Sequence, residues 1–119
     1  MDIFFWITIG QGLLLTLIGV IYAQYPPKKI NPIYGYRTKR TMANQTVWDY
    51  ANKIGAQIII WTGLICTAMG AIVYFIYPNT YAVIITSALV VMGLILGMIL
   101  CEKDLNSEFD KKGNRKSKP

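Results

Sequence analysis

The sequence QIIIWTGLICTAMGAIVYFIY, residues 57–77, decides the fold because it contains no Asp, Glu, Lys or Arg. Two other runs, residues 3–25 and 81–101, share this property, and each of the three has at least 21 residues. About 20 apolar residues in a helix cross a hydrocarbon core of roughly 30 Å. The runs lack the strict apolar and polar alternation that barrel strands need. The sequence therefore predicts an all-α integral membrane protein with three transmembrane helices.

The composition of the chain favours lipid as the solvent of these runs. Hydrophobic residues make up 54% of the sequence, and the mean hydropathy is +0.39. If the runs were buried helices of a soluble protein, the remaining polar residues could not cover them. A cleaved signal peptide is disfavoured because Asp2 precedes the first run and no small-residue cleavage site follows it. We therefore expect the first run to stay in the mature protein.

Basic residues are distributed unevenly between the connections of the three runs. The segment 26–56 carries six Lys or Arg residues, the link 78–80 carries none, and the other six follow the third run. Because short basic loops resist translocation, we expect the loop and the C-terminus to be cytoplasmic and the N-terminus to lie outside. The net charge of +6 then lies beside the membrane, so anionic headgroups of the inner leaflet, and not nucleic acid, are the expected counter-ions.

This pattern divides the chain into two parts. Residues 1–101 are expected to form the transmembrane domain, with an inner loop at 26–56, and residues 102–119 a basic cytoplasmic tail. Leu105 and Phe109 are spaced to extend the third helix briefly into the tail. The last seven residues are expected to be disordered because they are polar and terminal.

The inner loop contains the polar sequence GYRTKRTMANQTVWDYAN, residues 35–52. Two prolines before it should end the first helix, and Asn31 precedes a third proline in a predicted turn. Gly35 supplies backbone freedom, and Thr41 or Asn44 can cap a new helix. Apolar residues at 47, 51, 54 and 58 recur at helical spacing, so an amphipathic extension should precede the second span, with Gly55 as its natural bend.

Asp49 is the only acid between residues 3 and 101, and it shares the loop with six basic residues. We predict that it pairs with Arg37 or another loop cation. The pair would be either an exposed contact that contributes at most about 1 kcal/mol or part of a hydrogen-bonded network between loop and helix. In the second case Thr38, Asn44 and Asn52 are the expected further members.

Several function classes lack their usual residues. Coupled transport of protons or cations generally needs an ionisable side chain inside the membrane, and the three runs contain none. The chain has no His, and Cys66 and Cys101 should lie at different depths, so we predict neither a metal site nor a disulfide. No common catalytic motif is present, and we expect neither an enzyme nor a bound cofactor.

Small residues mark the helix faces that should make close contact. They line one face of each run, and Gly93 and Gly97 form a GxxxG motif in the third. The other two faces consist of Gly12, Thr16, Gly19 and Ala23, and of Gly63, Thr67, Gly70 and Ala71. The sequence leaves open whether these contacts form within one chain or between chains, so a homo-oligomer remains an alternative.

The polar loop resembles the signature of the SdpI-type bacterial immunity proteins. The matching residues keep a fixed spacing, and the resemblance extends over residues 3–101 through the three-span plan. They are Lys29, Asn31, Gly35, Tyr36, Arg37, Thr38, Thr41, Met42, Asn44, Trp48, Ala51, Asn52 and Gly55. The resemblance implies a protein of the bacterial cytoplasmic membrane that protects its producer from a secreted, membrane-active killing peptide. For one member it also implies a signalling role, in which a transcriptional repressor is held at the membrane.

The resemblance and the loop chemistry together predict a binding site on the inner side of the membrane. A toxin peptide could pack against the neutral bundle, while Tyr36, Arg37 and Trp48 are offered to a cytoplasmic regulator or to lipid. The candidate binding residues are Asn31, Gly35, Tyr36, Arg37, Thr38, Thr41, Met42, Asn44, Trp48, Asp49 and Asn52. Two alternatives are a small accessory subunit of a larger membrane complex and an oligomeric passive transporter.

Overall fold

A computed structural model describes residues 2–110 and 112–115, and its regular structure in these ranges is three helices without a strand. They are α1 (Ile3–Gln24), α2 (Gln45–Ile76) and α3 (Thr80–Glu108). Within the described chain all three are long and apolar enough to cross a membrane. The predicted all-α fold with three spans is confirmed. Below, the loop end is the end of the bundle that carries residues 25–44, and the turn end is the opposite end, with residues 77–79.

The first two helices pack through a reciprocal pair of small-residue contacts. A β-carbon built on Gly12 would collide with Thr67, and one built on Gly63 would lie 2.8 Å from the Cα atom of Thr16. Each threonine hydroxyl donates to the carbonyl of the glycine four residues earlier on its own helix, at 2.8 Å. The hydroxyls are therefore satisfied locally, and the glycines allow the two backbones to approach each other closely.

The GxxxG motif of α3 is used within the chain. A β-carbon on Gly93 would lie 2.8 Å from Cγ2 of Thr62, and one on Gly97 would collide with the side chain of Ile58. Both partners belong to α2, which also places Gly70 against Thr8 of α1. The motif thus packs α3 on α2 within the chain.

The loop end extends beyond the spans because α2 begins 12 residues before residue 57. Asn44 adopts an extended conformation and accepts a hydrogen bond from Val47 N at 2.9 Å, so the predicted N-cap is confirmed. The helix continues through Gly55 to a length of about 48 Å. A β-carbon on Gly55 would lie 3.3 Å from the ring of Tyr36, so this glycine makes room for the loop.

The extension of α2 packs against the end of α3. Val47 and Ala51 form a buried apolar cluster with Cys101, Leu105 and Phe109, all completely inaccessible to solvent. The predicted extension of the third helix is confirmed, since α3 ends at Glu108 and Phe109 is its C-cap. The two cysteines are free and buried.

Part of the C-terminal tail contacts the start of α2. Residues 112–115 form a turn in which Phe109 pairs with Arg115 and Gly113 has φ +87°. Asn44 Nδ2 donates to the Gly113 carbonyl at 2.8 Å, which fixes this turn to the start of α2. The expected disorder of the last seven residues stays a prediction, and residues 116–119 lie outside the described chain. Composition could not indicate this contact, because Asn44 and Gly113 are 69 residues apart in sequence.

Candidate functional site

Asn52 is the centre of the contacts that join the loop to the bundle. Its side chain is buried on α2, where Oδ1 accepts hydrogen bonds from the Tyr22 hydroxyl and, at 2.7 Å, from the Tyr36 backbone N–H. Its Nδ2 donates to the Trp48 carbonyl at 2.8 Å. One amide therefore connects α1, the loop and α2, and rotation of the amide would break all three bonds.

Trp48 fixes the first part of the loop. Its ring is completely buried, and Nε1 donates to the carbonyl of Pro27 at 2.7 Å. Gly35 lies close to this ring and to the Asn52 side chain. Its φ of +111° is a backbone conformation that residues other than glycine rarely adopt. The prediction that Trp48 contacts an external partner is wrong, because the α2 extension and the loop enclose it.

The middle of the loop is held by local turns. Asn31 Oδ1 accepts from the backbone N–H groups of Ile33 and Tyr34 at 2.9 and 2.7 Å, which forms the turn expected there. The buried hydroxyl of Thr41 accepts from Thr38 N at 2.8 Å and lies 2.7 Å from the Tyr36 carbonyl, to which it can donate. Thr41 therefore closes a compact turn before α2 instead of capping the helix.

Two tyrosines and one arginine connect the loop end to α3. Tyr36 donates to Glu102 at 2.7 Å, and burial together with this bond raises the pKa of Tyr36. Tyr50 donates to Asp104 at 2.9 Å, and burial, with the Asp104 contact, raises the pKa of Tyr50 to about 12. Both phenols therefore remain protonated donors at neutral pH.

Arg40 lies at the C-terminal end of α3. Its guanidinium donates to the Phe109 carbonyl at 3.0 Å and contacts that of Leu105 at 3.5 Å. These carbonyls belong to the end of a helix, where the partial negative charge of the helix dipole favours a cation. Arg40 is thus a structural residue that closes the loop onto α3.

Arg37 differs from these residues because it is exposed. Its guanidinium donates to the Pro32 carbonyl, and together with Thr38 it lies at the mouth of an apolar cleft of about 350 Å³. We call this the arginine cleft; its apolar wall includes Ile58, Ile59, Leu94 and Met98. The cleft combines one cation with an apolar interior, which suits an amphipathic ligand.

The predicted pairing of Asp49 is wrong. Asp49 is exposed and accepts from Gln45 Nε2 at 2.7 Å, while the salt bridge found within residues 2–110 and 112–115 joins Arg115 to Glu108. Asp49 lines a groove with Lys28 and Lys53, whereas Arg37 lines the arginine cleft. The two charges belong to different surfaces, and the bonds of Asn52 and Trp48 join the loop to α2 without an ion pair of Asp49.

The candidate residues thus separate into three groups. Asn31, Gly35, Thr41, Asn44, Trp48 and Asn52 shape the loop; Tyr36 joins it to α3 with its side chain half-buried; and Arg37, Met42 and Asp49 are exposed, with Thr38 beside Arg37. Sequence reasoning missed Tyr22, Arg40 and Tyr50. A tyrosine near the end of an apolar run was an available signal for Tyr22, since its ring suits the interface and its hydroxyl needs a partner.

Comparison with known proteins gives two matches to this chain. The model of the SdpI/YfhL protein family matches residues 28–101, which include the loop from Lys28 onward, all of α2 and α3 as far as Cys101. The uncharacterized protein YfhL of Bacillus subtilis (strain 168) is 31% identical over 109 residues, which cover 92% of this chain and 94% of YfhL. No solved structure matches.

Proposed function

Because the chain belongs to the SdpI/YfhL protein family and is a multi-pass membrane protein, we propose that it protects a bacterial cell against a secreted, membrane-active killing peptide. The observation that carries the proposal is the arginine cleft, which the signature residues Gly35 to Thr38 help to line. Hydrogen bonds to Asn52 and Thr41 hold the backbone of this segment, which supports a cleft of defined shape.

The proposal takes the killing peptide to be amphipathic, as peptides that bind at a membrane interface commonly are, and the cleft matches that property. An apolar side chain would enter between Leu94, Met98 and the α2 residues Ile58 and Ile59. The Arg37 guanidinium would then bind a carbonyl or carboxylate of the peptide at the mouth, with geometry that a lysine ammonium cannot reproduce. Capture at this place would remove the peptide from the lipid without any chemical step.

A cytoplasmic position of the loop end is part of the proposal. The basic residues of the loop and tail support it, because cationic segments of this length are retained on the inner side. The same exposed surface around Arg37 and Met42 would be available to a cytoplasmic regulator. For a Lys39→Cys variant, we expect a membrane-impermeant thiol reagent to label the protein only after permeabilisation. Labelling of intact cells would contradict this orientation, and the buried Cys66 and Cys101 keep the background low.

A killing assay with matched arginine and lysine variants tests the protective function. Expression of the protein should protect sensitive cells, and Arg37→Gln should abolish protection at unchanged abundance in the membrane. Lys39→Gln is the control, because it removes a neighbouring exposed cation that does not line the cleft. Protection by Arg37→Gln equal to that of the unmodified protein would contradict the role of the cleft, and failure of the unmodified protein to protect would contradict the function.

A further inference from the structure

A second surface at the loop end borders the arginine cleft at Tyr22 and is otherwise lined by different residues. It is a groove of about 600 Å³ between the end of α1, the segment that follows it and one face of the α2 extension. We call it the lysine groove. Its polar wall carries Lys28, Lys53 and Asp49, and its apolar wall includes Ala23 and Ala56.

The residues of the lysine groove change in character along the helix axis. Ala23 and Ala56 lie at the level where α1 ends and the predicted second span begins, whereas Lys53 and Asp49 lie one and two turns farther toward the loop end. The two lysines are exposed and carry a net charge of +1 together with Asp49. The groove is therefore cationic at the level of lipid headgroups. It is lined by small apolar side chains at the level where acyl chains begin.

We propose that the lysine groove binds one anionic phospholipid of the adjacent leaflet. The phosphate would lie between the Lys28 and Lys53 ammonium groups, and an acyl chain would follow the apolar wall past Ala23 and Ala56. Anionic lipid is favoured over a neutral one because only its headgroup leaves a net negative charge to match the groove. This inference goes beyond protection against a peptide and does not depend on it.

The contacts of Gln45 support a pre-formed groove. Gln45 Nε2 donates to the Lys28 carbonyl at 2.5 Å and to Asp49 Oδ1 at 2.7 Å, which connects the segment after α1 to α2 along the polar wall. The link to Lys28 uses its backbone, so its ammonium group remains free of this bond. A lysine substitution at either position should therefore change the charge of the groove without changing the path of the loop.

The test is lipid retention by the purified full-length protein, measured by native mass spectrometry during titration with phosphatidylglycerol or phosphatidylcholine. We expect one phosphatidylglycerol to be bound preferentially, and Lys28→Ala and Lys53→Ala each to weaken its binding about fivefold, equivalent to about 1 kcal/mol. Lys39→Ala, an equal charge loss outside the groove, should leave binding unchanged. Asp49→Asn should strengthen it by a similar factor, since Asn can still accept from Gln45.

Three results would overturn the proposal. Equal retention of the two lipids would show that the groove does not select charge. Equal weakening by Lys39→Ala would show diffuse attraction by the basic loop instead of a site. Displacement of the bound phosphatidylglycerol by inorganic phosphate would assign the groove to a free anion, and thermal stability in detergent confirms that each variant is folded.

Discussion

The two ends of the bundle differ in the balance between hydrogen bonding and close packing. At the loop end, side chains such as Asn52, Trp48 and Asn44 form hydrogen bonds over sequence separations of up to 69 residues. Toward the turn end, Gly70 packs closely against Thr8 and Thr86. Side-chain bonds there, such as Ser87 Oγ to Gln11 Oε1 at 2.8 Å and Tyr74 to Asp2 at 3.1 Å, join the helices without a polar loop between them. A short turn and the Asn79 cap then complete the connection of α2 to α3.

This difference follows from the solvent at each place. Lipid is as apolar as leucine, so helices inside it gain little from burying apolar surface and associate through close packing. The loop end extends toward water, where specific hydrogen bonds select one conformation among many for a polar segment. Close helix packing therefore forms the bundle, and side-chain hydrogen bonds fix the polar loop that joins α1 to α2.

Loss of the Asn52 amide should cause the largest decrease in the free energy of unfolding, because it removes the central hydrogen bonds of the loop end. Asn52→Ala removes the acceptor that the Tyr22 hydroxyl and the Tyr36 N–H share, and leaves the Tyr36 N–H with its 3.1 Å contact to the Tyr22 oxygen, so we expect a loss of about 2–4 kcal/mol in the free energy of unfolding. Unfolding in a detergent titration measures it. Asn114→Ala, an exposed asparagine, is the control. Equal stability of the two variants would mean that the network does not stabilise the loop.

A substitution at Gly63 tests whether close packing holds α1 against α2. Gly63→Ala places a β-carbon 2.8 Å from Thr16 Cα, so the helices must separate, and we expect a loss of about 2 kcal/mol. Gly10→Ala is the matched control, because a β-carbon at that position meets no atom within 4 Å. The control should be neutral or slightly stabilising through helix propensity. If both variants unfold alike, the glycine contact does not hold α1 on α2.

The same difference explains how much of the structure could be predicted. The spans and the Asn44 cap depend on local composition, which the sequence contains directly. The hydrogen-bond partner of Asn52 is Tyr22, 30 residues earlier in the chain. The contact of Arg40 with the C-terminal end of α3 depends on how the three helices pack. The pairing of Asp49 was wrongly predicted because charge balance within a loop does not indicate on which side of a helix each residue lies.

Two helix caps, one at each end, allow a direct comparison of the same substitution. Asn44→Ala loses the bond to Val47 N and also the bond to the Gly113 carbonyl, so we expect about 1–2 kcal/mol. Asn79→Ala loses only its cap on Tyr81 N among the described contacts, and about 1 kcal/mol is expected. Thermal unfolding in detergent measures both. A larger loss for Asn79→Ala would contradict the greater polar connectivity of the loop end.

The Tyr50 contact should make the loop end sensitive to alkaline pH. The pKa of Tyr50 is raised to about 12, so its contribution is fully present below its ordinary pKa of about 10 and is lost as the pH rises through 12. Tyr50→Phe should cost about 1 kcal/mol at neutral pH and show a smaller loss of stability above pH 10. Unfolding measured from pH 7 to 12 checks this, and parallel curves for both proteins would contradict it.

The smallest effect is expected for Asp49, the acid that the sequence made most conspicuous. Its carboxylate is exposed and accepts one bond from Gln45, so Asp49→Ala should change the free energy of unfolding by no more than about 0.5 kcal/mol. The same detergent titration used for Asn52→Ala gives the comparison within one segment of α2. A loss as large as that of Asn52→Ala would place Asp49 within the stabilising network and require an ion pair that the described contacts do not contain. A negligible loss would confine that network to the buried amide and its partners, and would leave Asp49 free to adjust the charge of the lysine groove.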